Sequence, residues 1–113
     1  MITVRSYNNA IIIRGHDDKN ICEQVSLSVG MFINMIRPFD CLISDYHSDT
    51  DDNLVNKLRG MTNVIFKETS ITFILRDMFT ETLILWFNRY YPNRVTVLRI
   101  TENYVEGQND SEN

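Results

Sequence analysis

Between Ile71 and Tyr90 the chain carries Phe73, Ile74, Leu75, Met78, Phe79, Leu83, Ile84, Leu85, Trp86 and Phe87. Wound as a helix, these side chains occupy most of the circumference, whereas a sheet covers only about a third to a half of a helix surface. A chain holding such a segment has to bury it on two sides. The spacing therefore predicts a helix over 71–90 that lies on a sheet and packs its outer side against a partner, expected to be a second copy of the same chain.

The sheet is supplied by the flanking segments. Ile2 to Tyr7 alternates with period two, Asn8-Asn9 is a turn pair, and Ala10 to Arg14, with three consecutive isoleucines, is the return strand of a hairpin. After a polar stretch, Ile21, Val25, Val29, Phe32, Ile33 and Ile36 recur at helical spacing. Asn20 is the expected cap of that helix, with Glu23 completing a capping box, and Pro38 ends it. Strands are expected over 40–47 and 63–69, separated by the acidic loop 48–53 and a short helical turn over 54–59 that Gly60 closes. Tyr91-Pro92-Asn93 stops the second helix and Val95 to Ile100 is the last strand. The order ββαββαβ predicts an α+β two-layer sandwich, a mostly antiparallel sheet with two long helices on one face.

With 113 residues, 43% of them hydrophobic and 23% charged, the chain suits one domain, placed at 1–101, followed by a polar, disordered tail over 102–113. A net charge of −4 argues against binding nucleic acid through its phosphates and leaves a basic peptide as a compatible partner. No apolar run is long enough for a bilayer, and the first residues lack the order of a signal peptide, so a cytoplasmic protein is expected. In that reducing compartment Cys22 and Cys41 are free thiols.

The chemistry points to Gly15-His16 and Cys22. An imidazole at the end of a strand stands beside a thiol in the first turn of a helix, where aligned peptide dipoles and N–H groups favour thiolate. Cys22 also falls on the apolar arc of Ile21, Val25 and Val29, so a buried structural cysteine is the competing reading. His16 read alone is a turn residue whose ring bonds the backbone. Ser26, one turn below Cys22, is placed to bond the thiol, a substrate or a helix carbonyl. Cys41 is assigned to the core. His47 with Asp45, Asp49, Asp51 and Asp52 lacks the ligand spacing and glycine of a calcium loop, and is read as a solvated acidic loop. No metal and no cofactor are called for.

The segment from Gly15-His16 through Ile21-Cys22-Glu23-Gln24-Val25-Ser26 resembles the ribosomal-processing cysteine proteases, the Prp family. Members carry Gly-His at the end of the second strand and a hydrophobic-Cys-x-x-(Val/Ala)-Ser segment opening the first helix. The resemblance implies a homodimer that removes a short segment from a ribosomal protein or, in phage-encoded relatives, from a virion protein. Cys22 would be the nucleophile and His16 its base, with Gly15, Asp18 and Ser26 in support. Here the loop between the two is only Asp17 to Ile21, and Lys19 stands where the family has an Asp, so Asp17 or Asp18 would have to orient the imidazole. The alternative is an inactive relative that keeps the fold and the dimer as a protein-binding module.

Overall fold

The structure is a computed structural model that describes residues 1–48 and 60–105. Its first element is the hairpin of β1 (Ile2–Ser6) and β2 (Ala10–Gly15), closed at Asn8-Asn9 by a bond from the Tyr7 amide to the Ala10 carbonyl at 2.8 Å. There follow α1 (Lys19–Ile36), a 3₁₀ turn (Arg37–Phe39), β3 (Leu42–Ser48), β4 (Met61–Phe66), α2 (Ser70–Tyr90) and β5 (Val95–Arg99). Both helices and all the predicted strands are present, and the class is α+β as expected. The turn expected over 54–59 and Asp49, Asp51 and Asp52 lie outside the described residues.

The five strands form one sheet in the order β3-β4-β2-β1-β5. β1–β2, β2–β4 and β3–β4 are antiparallel, while β1 and β5 run parallel. β2 is therefore interior, which explains the three isoleucines. Ile11 and Ile13 enter the core beneath the helices, and Ile12 joins a second cluster on the far face. Beneath the helices, Val4, Val64 and Phe66 of the sheet meet Val25 and Phe32 of α1 and Leu83 and Phe87 of α2.

Several boundaries differ from the sequence reading. Helix α1 is capped by Asp18, whose carboxylate accepts the Ile21 amide at 3.0 Å, and not by Asn20. The Asn20 amide instead donates to the Tyr91 hydroxyl at 3.0 Å, tying α1 to the end of α2. β4 ends at Phe66, because Thr69 is needed as the cap of α2 and forms with Thr72 a reciprocal capping box. β3 starts at Leu42, and Cys41 is buried just before it.

The stretch after β5, read as tail from Glu102 on, crosses the far face of the sheet as far as Val105. Tyr104 is only 7% exposed and packs edge-on against Tyr7 at 5.1 Å. Its amide donates to the Asn9 side-chain oxygen at 2.7 Å, and its carbonyl accepts the Asn9 amide at 3.2 Å. A single tyrosine thereby covers an apolar face that the polar composition of its neighbours concealed.

Helix α2 is turned in an unexpected way. The side it gives to the molecule includes Thr72, Arg76 and Thr80 besides Phe79, Leu83 and Phe87, with the Thr80 hydroxyl 2.7 Å from that of Ser6. Phe73, Ile74, Met78, Leu85 and Trp86 are exposed.

Candidate active site

The site begins where β2 stops. Gly15 has φ +108°, a conformation natural to glycine, and a Cβ there would lie 2.3 Å from the Met1 carbonyl oxygen. This turn throws His16 off the sheet toward the start of α1. Asp18 then caps α1 through its side chain, and its carbonyl accepts the Cys22 amide at 3.0 Å, fixing Cys22 in the first turn.

The two motif residues meet. His16 Nδ1 lies 3.7 Å from Cys22 Sγ, within hydrogen-bonding range for sulfur. The Asp17 amide donates to the same sulfur at 3.4 Å, and the thiol donates to the Asp17 carbonyl oxygen at 3.3 Å. Cys22 is half-buried, packed against the core cluster on one side and open on the other. It is accessible to a ligand in a way that buried Cys41 is not.

Neither aspartate serves as the sequence suggested. The Asp17 carboxylate accepts two bonds from the Arg94 guanidinium, one from Nε at 3.1 Å and one from Nη2, and the Met1 amine lies 3.4 Å away. Asp18 gives one oxygen to the Ile21 amide and the other to Arg94 Nη2 at 3.1 Å. The bonds from Arg94 and from the Asp18 amide hold the Asp17 carboxyl well below its ordinary value, at about 2. Lys19 points away into solvent, where its ammonium lies 3.9 Å from Glu23.

A cavity of about 290 Å³ opens beside the sulfur. His16 and Cys22 line it together with Val25, Ser26 and Gly30 of α1 and His47 of β3. Ser26 thus stands on the cavity wall, exposed, one helical turn from Cys22. His47 Nδ1 is 2.7 Å from the Thr62 hydroxyl across the β3–β4 pair. Among the described residues no cluster of His, Cys, Asp or Glu could hold a metal ion.

Gly60 also belongs here. Its carbonyl accepts the Gly15 amide at 3.1 Å, its φ is +51°, and a Cβ on it would meet the Gly15 carbonyl oxygen at 2.0 Å and the His16 ring at 3.3 Å. From the sequence Gly60 reads as the end of a helical turn and Arg94 has no role, since nothing local to either residue announces a partner so far along the chain.

No family model and no curated protein matches the chain. Solved structures do. The ribosomal processing protease Prp of S. aureus, crystallised with a covalently linked product peptide, matches 88% of this chain and 100% of its own, with a TM-score of 0.60 and 18% identity. The fold is Prp-like. The same protease with a substrate peptide gives a TM-score of 0.59 at 15% identity. A Streptococcus mutans protein, SMU.848, gives 0.57 at 16% identity over 89% of this chain and 96% of its own. The Prp-like fold thus spans the greater part of the chain, and no helix among the described residues is long and apolar enough to cross a membrane.

Proposed function

We propose that the protein is a cysteine endopeptidase that removes a short segment from another protein, a ribosomal or phage structural protein, with Cys22 as nucleophile and His16 as base. The observation that carries this reading is the 3.7 Å separation of Cys22 Sγ and His16 Nδ1 on the wall of a cavity. The likeness to a protease crystallised with peptides supports it.

In the proposed reaction the Cys22 thiol proton passes to His16 Nδ1 as the sulfur attacks the scissile carbonyl carbon. The Asp17 amide, which points at the sulfur from 3.4 Å, is the donor this reading assigns to the developing oxyanion. The Ile21 and Cys22 amides are both engaged by Asp18, so the helix start contributes fewer donors than its position alone suggests. Collapse of the intermediate breaks the C–N bond, and the imidazolium returns the proton to the leaving amine. Water, deprotonated by His16, then releases the acyl group from the sulfur.

A homodimer is part of the proposal. Helix α2 turns Thr72, Arg76 and Thr80 inward and leaves Phe73, Ile74, Met78, Leu85 and Trp86 outside, an arrangement that suits a second apolar surface.

The test is digestion of a panel of extended peptides drawn from the leading segments of ribosomal and virion proteins, followed by mass spectrometry. Cleavage that disappears in both Cys22→Ala and His16→Ala is the expected result. Peptides that bind but remain intact, with Cys22 alkylation indifferent to His16→Ala, would establish the protein-binding module instead.

A further inference from the structure

The dyad is supported from the opposite end of the chain. Tyr91, Pro92 and Asn93 form the turn between α2 and β5, with Asn93 in the left-handed region at φ 69° and the Arg94 amide donating to the Tyr91 carbonyl at 3.2 Å. The Arg94 carbonyl accepts the Ile2 amide at 3.1 Å. Both ends of the Arg94 backbone are thereby fixed before its side chain makes any contact. The guanidinium then grips Asp17 through Nε and Nη2 and reaches Asp18 with Nη2.

We propose that Arg94 is a positioning residue for Cys22 and His16, holding the Asp17 peptide units in place against the sulfur. Asp17 is the residue between the two. Its amide and its carbonyl both contact Cys22 Sγ, its side chain is only 6% exposed, and it follows His16 directly. A loop of this length has no secondary structure to hold it. Two charge-assisted bonds to one carboxylate fix its orientation as well as its position, which a lysine at the same place cannot do. The Asp18 contact extends the grip to the cap of α1, so a single side chain holds the loop and the helix start that share the sulfur. Displacement of reacting groups by about 1 Å is enough to cost catalysis on the order of a hundredfold.

The inference rests on the cysteine-peptidase reading, and its test is chosen to stand apart from proteolysis. Alkylation of Cys22 by iodoacetamide is followed by mass spectrometry across a pH series in the wild type, Arg94→Ala, Arg94→Lys and Asp17→Asn, alongside thermal unfolding of each. Arg94→Ala and Asp17→Asn are expected to slow Cys22 alkylation at mildly acidic pH by about tenfold and to displace its pH–rate profile, with Arg94→Lys in between. A folded Arg94→Ala whose Cys22 profile coincides with the wild type, even with a lowered melting temperature, overturns the proposal by making Arg94 a stability residue only. If Arg94→Ala fails to fold, Arg94→Lys and Asp17→Asn decide the same question. Should no peptide be cleaved while the variants still shift the alkylation profile, the peptidase reading fails and the positioning role stands. Cleavage with unshifted profiles has the reverse meaning.

Discussion

The Gly60 carbonyl accepts the Gly15 amide at 3.1 Å, and so close is the approach that a Cβ on Gly60 would stand 2.0 Å from the Gly15 carbonyl oxygen. Both residues have positive φ. The start of β4 is thus pressed onto the end of β2 at the point where the chain turns to His16. Gly60→Ala is expected to destabilise the protein by about 1–3 kcal/mol, the usual cost of a strained backbone conformation, and to displace the His16 ring that its Cβ would crowd. Denaturant unfolding measures the first effect. Peptide cleavage falling more than the loss of folded protein explains would measure the second.

His16→Ala should lower kcat/KM for a cleaved peptide by roughly 10²–10⁴-fold, the range of a lost general base, without unfolding the protein. The same variant should alkylate more slowly at Cys22. Cys41, being buried, labels slowly for want of access and is a poor internal standard, so the wild-type Cys22 rate is the proper reference.

Asp17 gives a pH dependence with a definite sign. Its carboxyl is lowered from 3.8 to about 2 in the folded state by the Arg94 and Asp18 bonds. The stabilisation is therefore complete above the unfolded value and disappears as pH falls through the interval from about 4 to about 2. Asp17→Asn should lower stability near neutral pH, and the gap from wild type should narrow across that interval. A gap that stays constant down to about pH 2 would mean that the charge of Asp17 is irrelevant to folding.

The outer face of α2 should bring two chains together. Trp86 is 46% exposed although its indole N–H reaches Gln24 Oε1 at 3.0 Å, and Met78 and Leu85 are more exposed still. Sedimentation at micromolar concentration is expected to give a dimer, and Trp86→Glu a monomer or an aggregate. A wild-type monomer that stays soluble would remove the dimer from the proposed function.

Tyr104→Ala is expected to cost about 2–4 kcal/mol, near the low end for deletion of a buried aromatic ring. Chemical denaturation would show it. A negligible effect would mean that the far face of the sheet needs no cover.

The parts of this architecture that local pattern determines were legible in the sequence. Alternation in β1, the Asn8-Asn9 turn and the helical spacing from Ile21 to Ile36 each depend on neighbours within a few residues, and each has its counterpart in the structure. The cap of α1 was displaced because Asn20 immediately precedes the first apolar residue, whereas Asp18 can hold both Ile21 and Arg94. His16 and Cys22 were legible as a pair because one short loop joins them. Gly60, Arg94 and Tyr104 were not, since each acts on residues distant in the chain and leaves no periodicity behind. Their roles follow from strand order, which a single sequence encodes only through the sum of its packing.

The parallel pairing of β1 with β5 has a consequence for how the site comes into being. Residues 15 to 22 leave the ribosome well before β5, which can dock beside β1 only after all the intervening elements have been made, and Arg94 sits at the entrance to that strand. Contacts between such distant segments are slow to form because loop closure must come first. A nascent chain interrupted before Arg94 therefore carries its thiol and imidazole on a loop that lacks the guanidinium clasp. The sulfur acquires these surroundings only when β5 is added, so synthesis itself sets the moment at which the clasp is complete.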